Sequence, residues 1–208
     1  MGFLTGKTAI ITGAGRAVLK DGSCGSIGYG IATAYAKEGA NLVITGRNVK
    51  KLEAAKQELE SLYGIKVLTV QADVCAGGDN EATVANVVKQ AVDTFGGIQV
   101  LINNAQASAS GVPLAEHTTE QFDLAIYSGL YAAFYYMKAC YPYLAESHGS
   151  VINFAWQLWP VQLCRRQGGH PRYVPRRRHR VGQGRHQRQR GLPAGMDGQA
   201  RAVQGRLP

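Results

Sequence analysis

Two glycine clusters and one arginine carry most of the chemistry that can be read from this 208-residue chain. The apolar run Lys7–Thr12 (KTAIIT) ends in Gly13-Ala14-Gly15, and a helix-period stretch opens at Ser26-Ile27-Gly28-Tyr29-Gly30. A glycine turn between a first strand and a first helix lets the backbone approach a pyrophosphate. The helix N-terminus then supplies unpaired N–H donors and the positive end of its dipole. Further on, NLVIT (Asn41–Thr45) is followed by Gly46-Arg47. An acidic residue at such a strand end would bond both ribose hydroxyls and repel a 2′-phosphate, whereas a guanidinium pairs well with phosphate. No carboxylate stands at this position.

The elements that must hold these residues alternate regularly. Strands are expected at Lys7–Thr12, Asn41–Thr45, Lys66–Gln71, Ile98–Ile102 and Ser150–Phe154. Helical spacing links Ile27, Ile31, Ala34 and Tyr35 before Gly39, and Val49, Leu52, Ala55, Leu59 and Leu62 before Gly64. It recurs at Val84, Val87, Val88, Ala91 and Phe95, and over Thr118–Leu144. Continuously apolar strands alternating with helices predict an α/β fold, a Rossmann-type doubly wound parallel sheet covered on both faces.

In this order, TGAG…SIGYGIATAYAKEGANLVITGRN, ADV (Ala72–Val74), LINNA (Leu101–Ala105) and GSVINFA (Gly149–Ala155) resemble the short-chain dehydrogenase/reductase family across residues 1–155. The texture of SIGYGIA, NNAQASASG and IYSGLYAAFYYM is most similar to the bacterial 12α-hydroxysteroid dehydrogenases, which act on bile acids. That narrower likeness contains no substrate-binding motif. The resemblance implies an oxidoreductase that moves a hydride between a nicotinamide cofactor and a hydroxyl or keto group of a small molecule, here a steroid. It also implies a homo-oligomer. Carried over by position, Gly13, Ser26 and Gly28 would line the pyrophosphate, and Ile27 belongs to the same cofactor-binding set. Asp73 would meet the adenine amino group, with Val74 beside it. Asn103, Asn104 and Ala105 would support the strand beside the adenosine ribose. Arg47 makes NADP the expected cofactor, ahead of NAD.

The chain also departs from the family pattern. Ser26 replaces the middle glycine, and roughly nine extra residues enlarge the glycine loop between Arg16 and Gly25. Gln106 follows Asn-Asn-Ala where the family has Gly, and Gly129 aligns with a helix Asn that often completes a proton relay. The family's chemistry needs a Ser, a Tyr about thirteen residues later and a Lys four beyond, the Lys lowering the Tyr pKa by its charge. Here Trp156 stands where the Ser should follow Ala155. No Tyr-x-x-x-Lys occurs downstream, and no Lys at all beyond Lys138. No catalytic residue is therefore assigned, and activity is expected to be lost.

The sequence changes character at the same place. Residues 1–155 hold 11 Lys/Arg against 13 Asp/Glu, while residues 156–208 hold 12 Arg, no Lys and the single acid Asp197. The formal net charge of +9 thus arises in the tail. Five prolines and eight glycines, few large apolar residues and no sustained period predict that residues 156–208 form no packed core and are disordered. Read one base out of register, the tail admits a continuation resembling the family's, with Ser-Tyr-Ala-Ala-Ala-Lys. Its Tyr codon straddles Leu163 and Cys164, and its Lys codon Gln167 and Gly168. An out-of-frame deletion after Ala155 accounts for this pattern and for the arginines. It would also remove the family's last strands and the helices of its usual interface, leaving the fifth strand an exposed edge. Two other readings stay open: a non-catalytic nucleotide-binding fragment, or nucleic-acid binding through the Arg-rich tail, which the lack of Lys and the scarcity of aromatics make the weaker.

Four widely spaced cysteines without C-x-x-C predict free thiols in a cytoplasmic protein and no metal site. No apolar run reaches the length of a membrane span, and the N-terminus lacks the pattern of a signal peptide.

Overall fold

The computed structural model describes residues 2–74, 80–109 and 111–154. Expectations for the tail from Trp156 onward lie outside the described residues. Five parallel strands form one sheet: β1 (Thr8–Thr12), β2 (Asn41–Gly46), β3 (Val67–Gln71), β4 (Val100–Asn103) and β5 (Ser150–Asn153), in the order β3-β2-β1-β4-β5. Helices α1 (Ile27–Lys37), α2 (Val49–Tyr63) and α3 (Asn80–Phe95) connect the first four strands. The long helical pattern before β5 resolves into α4 (Thr119–Ala125), a π-helical turn at Ile126–Tyr131 and α5 (Ala132–Glu146). This is the doubly wound architecture expected; the strand bounds fall within about two residues of those read from the sequence, while α3 begins at Asn80, four residues before Val84.

The central strands β1, β2 and β4 are buried on both faces, so side-chain alternation sorts them into two cores. Ile11, Leu42, Ile44 and Ile102 face α1 and α2, where Leu52, Ala55 and Leu59 meet them. Ile10, Val43, Val70 and Leu101 face the other way, against Val84, Val87, Val88 and Ala91 of α3 and Tyr136, Cys140 and Leu144 of α5. Burial of each large aliphatic side chain is worth about 2 kcal/mol. Burial also pushes the Cys140 thiol up to about 12, so it packs as a small apolar group.

The helix ends follow local chemistry. Asn48 caps α2 by accepting from Lys51 N at 3.0 Å, and Gly64 closes it in the left-handed conformation. Thr118 and Gln121 form a reciprocal capping box at α4.

Two expectations change in detail. In α1 the buried face is Gly28, Tyr29, Ala32 and Ala36, while Ala34 is exposed and Ile31 and Tyr35 are only half-buried. Gly28, Ala32 and Ala36 are small enough to let this helix lie close to the sheet, with Tyr29 the one large side chain on its buried face. In α2, Val49 and Leu62 lie at the exposed ends of the apolar stripe.

Among the described residues β5 has a neighbour on one side only, and Ile152 and Phe154 are 40% and 37% exposed.

Candidate functional site

The strand order reverses direction between β1 and β4, and a cleft of about 440 Å³ opens there at the carboxyl ends of the strands. In open parallel sheets this is where ligands bind. Five segments supply its walls: Gly13 beyond β1, the start of α1 with Gly25, the end of β2 with Arg47, Ala72 and Val74 beyond β3, and the chain leaving β4 at Asn104–Ala107.

The glycine turn is held by close contact. Gly13 lies at φ +71°, and a Cβ there would stand 3.2 Å from Ala105 and from Asn104 Nδ2. At Gly28 a Cβ would stand 2.2 Å from Gly13 O and 2.6 Å from Asn104 Nδ2. Side chains at either position would fill the cradle. Ser26 caps α1, its Oγ accepting from Tyr29 N at 3.4 Å, so the replacement of the middle glycine serves the helix start.

Thr12 joins β1 to β4. Its Oγ1 accepts from Asn104 N at 2.9 Å and from Ala105 N at 2.8 Å, while Asn104 Nδ2 donates to Thr12 O at 2.8 Å. Sequence reasoning missed this role, because a threonine ending an apolar strand reads as β-propensity alone. It also missed Gly25, Thr45, Gln106 and Ala107 in the cleft wall.

Of the residues expected at the site, Gly13, Ser26, Ile27, Gly28, Arg47, Val74, Asn104 and Ala105 line the cleft. Asp73 and Asn103 are not among the lining residues. The Asp73 side chain is exposed between cleft-lining Ala72 and Val74. Asn103 is buried at the end of β4, and its Nδ2 donates to Asn153 Oδ1 at 2.8 Å, tying β4 to β5.

The enlarged glycine loop is a small hairpin. Val18 bridges Cys24, Leu19 N donates to Ser23 O at 2.9 Å, and Gly25 N donates to Ala17 O at 2.7 Å. Arg16 anchors its base: its N donates to Lys51 O at 2.8 Å, and its guanidinium pairs with Glu58. The hydrogen bonds from Arg16 and from Tyr29 hold the Glu58 carboxyl below the usual carboxylate range. Burial and the Glu58 carboxylate raise the Tyr29 phenol. A lowered folded-state pKa means that Glu58 contributes stability above its unfolded value of 4.5 and loses it as pH falls through the folded value. Glu58→Gln should therefore flatten the fall in Tm on acidification through the carboxylate range. Melts from pH 6 to below pH 4 with parallel slopes for the two proteins would show that the anchor contributes nothing.

The fold and cleft define a Rossmann-type α/β protein with a ligand-sized cleft where the strand order reverses. Residues 7–157 match the short chain dehydrogenase family model, and the chain belongs to that family. It is 62% identical to a 12alpha-hydroxysteroid dehydrogenase of a Clostridium species over 155 residues, 74% of this chain and 57% of that one. It is 32% identical to the (2S)-[(R)-hydroxy(phenyl)methyl]succinyl-CoA dehydrogenase subunit BbsD of Thauera aromatica, over 69% of this chain and 56% of that one. The chain thus spans little more than half the length of these relatives. Among solved structures it resembles the L-sorbose reductase of Gluconobacter frateurii complexed with NADPH and L-sorbose. The TM-score is 0.61 at 30% identity, covering 73% of this chain and 52% of that one. A metagenomic short-chain oxidoreductase in complex with NADP superposes with TM-score 0.63 and 27% identity, over 74% and 64% of the two chains.

Proposed function

We propose that residues 1–155 form the NADP(H)-binding part of a steroid oxidoreductase, and that the 208-residue chain binds the cofactor without turning substrate over. The observation that carries the binding half is the glycine cradle between Gly13, Gly28 and Asn104, with Arg47 at the cleft wall and no acidic residue at the end of β2. The N–H groups opening α1 suit a pyrophosphate, and the Arg47 guanidinium suits a 2′-phosphate. The bound nicotinamide would accept or give up the hydride. The hydroxyl or keto group on a steroid follows from the relationship to the Clostridium enzyme.

The chemical half of the proposal rests on the sequence beyond the last strand. No Tyr-x-x-x-Lys follows Ala155: the one tyrosine there, Tyr173, has Arg177 four residues on, and Trp156 stands in the serine position. Residues 156–208 are then a tail read out of frame.

Thermal melts test the binding half. A ligand that binds only the folded chain raises its stability by RT ln(1 + [L]/Kd), about 2.7 kcal/mol at a hundredfold excess over Kd. NADP should raise Tm more than NAD at equal concentration. Arg47→Ala should remove that difference, lowering NADP affinity by about tenfold, as expected for a lost charge-assisted contact of about 1.5 kcal/mol. An unchanged NADP/NAD preference in Arg47→Ala would refute the role given to Arg47.

A further inference from the structure

One side-chain placement near the inner end of the cleft is left unused by the binding site described above. Gln106 follows the Asn-Asn-Ala segment, is half-buried and lines the cleft. Its side chain lies flat against Gly129: a Cβ built on Gly129 would stand 3.0 Å from Gln106 Nε2, 3.3 Å from Cδ and 3.5 Å from Cγ. Gly129 sits in the π-helical turn Ile126–Tyr131, a widened helix geometry that is rare and concentrates at functional sites. The turn is fastened to the same segment through Ser128. Its buried Oγ accepts from Ala107 N at 2.9 Å and also lies within hydrogen-bond distance of Ala107 O and Leu124 O.

We propose that Gln106 and Gly129 work as one unit, in which the missing side chain at 129 makes room for the Gln106 carboxamide, and that this carboxamide binds the nicotinamide half of the dinucleotide. The position in the cleft selects that half. Arg47, Ala72 and Val74 lie beside β2 and β3 at one end, the glycine cradle with Asn104 and Ala105 lies in the middle, and Gln106 and Ala107 lie beyond it on the chain leaving β4. With the 2′-phosphate end at Arg47 and the pyrophosphate at the cradle, the β4 end receives the nicotinamide and its ribose. A carboxamide both donates and accepts, which suits the ribose hydroxyls and the amide of nicotinamide. The fold places the glutamine and the glycine in contact. The inference rests on the cofactor reading above.

The test uses the full 208-residue chain and two ligands, NADPH and 2′,5′-ADP, which keeps the phosphorylated adenosine end but lacks the nicotinamide. Gln106→Ala should weaken NADPH by roughly three- to tenfold, the net value of one hydrogen bond, and leave 2′,5′-ADP unchanged. Gly129→Ala should produce the same selective loss with Gln106 intact, because the new methyl group displaces the carboxamide. Alanine also favours a helix more than glycine does, so a loss through unfolding is not expected. The double variant should lose no more than either single one, the signature of a coupled pair. Unchanged NADPH affinity in Gln106→Ala, equal weakening of both ligands, or additive losses in the double variant would each overturn the proposal. Wild-type chain that binds neither ligand would overturn the cofactor reading as well. Wild-type chain that binds both, with no selective loss in the variants, would leave that reading standing and remove this one.

Discussion

Incubated with a bile acid and NADP, the 208-residue chain is expected to form no NADPH above the enzyme-free rate. A chain rebuilt in the shifted frame after Ala155, with the missing serine and the few residues after it reinstated, is expected to turn over. The reason is chemical. Taking a hydride from a secondary alcohol requires removal of the hydroxyl proton, and the proposed tail offers no tyrosine–lysine pair to take it. Loss of a positioned acid/base group alone costs on the order of 10²–10⁴ in rate. The rebuilt chain would also regain the segment that follows β5, whose outer edge has no neighbour among the described residues. Sequencing the coding DNA across Phe154–Gly169 checks the premise directly: the shifted frame must read Ser-Tyr-Ala-Ala-Ala-Lys. Any other reading, or measurable steroid oxidation by the 208-residue chain, would sink the proposal and return the arginines to the status of encoded sequence.

The second large effect is expected at Gly28. Gly28→Ala places a methyl group 2.2 Å from the Gly13 carbonyl oxygen and 2.6 Å from Asn104 Nδ2. The first of these is backbone, fixed by the turn and by the β1–β4 hydrogen bonds through Thr12, so no side-chain rotation relieves it. The helix start must move away from the sheet, at a cost of about 3 kcal/mol, at the upper end of overpacking penalties. For a chain of this size that corresponds to roughly 6–12 °C in Tm. Binding of NADP(H) should be abolished, because the same displacement carries the N–H groups of α1 out of register with the cradle. Gly30→Ala is the matched control. It lies in the same helix, gains the same helix propensity, and its Cβ would meet Cys24 only at an ordinary 3.6 Å. Equal behaviour of the two variants would show that the close approach at Gly28 does not hold the cleft together.

These two experiments divide the protein as the sequence divides it. The strands, the glycine turn and the helix ends were legible because each is set by neighbours in the chain. Five apolar runs of strand length, a glycine cluster after the first, and Gly39, Gly64 and Thr118 at helix boundaries act through the backbone within a few residues. The charge split at residue 155 and the absence of Lys beyond Lys138 were equally plain, being matters of composition.

Other features needed the sheet to be assembled. The face that α1 buries could not be read from its largest apolar residues, because close approach to the sheet favours Gly28, Ala32 and Ala36 over Ile31. The Thr12 hydroxyl finds its partners 92 and 93 residues away, and Arg16 meets Glu58 across 42. Gln106 comes to lie on Gly129 only because a π-helical turn is tied to the segment leaving β4. The sequence by itself determined which strands and helices form and that a glycine turn lies between the first two. The tertiary structure decided which side chains wall the cleft, because strand order and helix approach are fixed by packing between segments that carry no local record of one another.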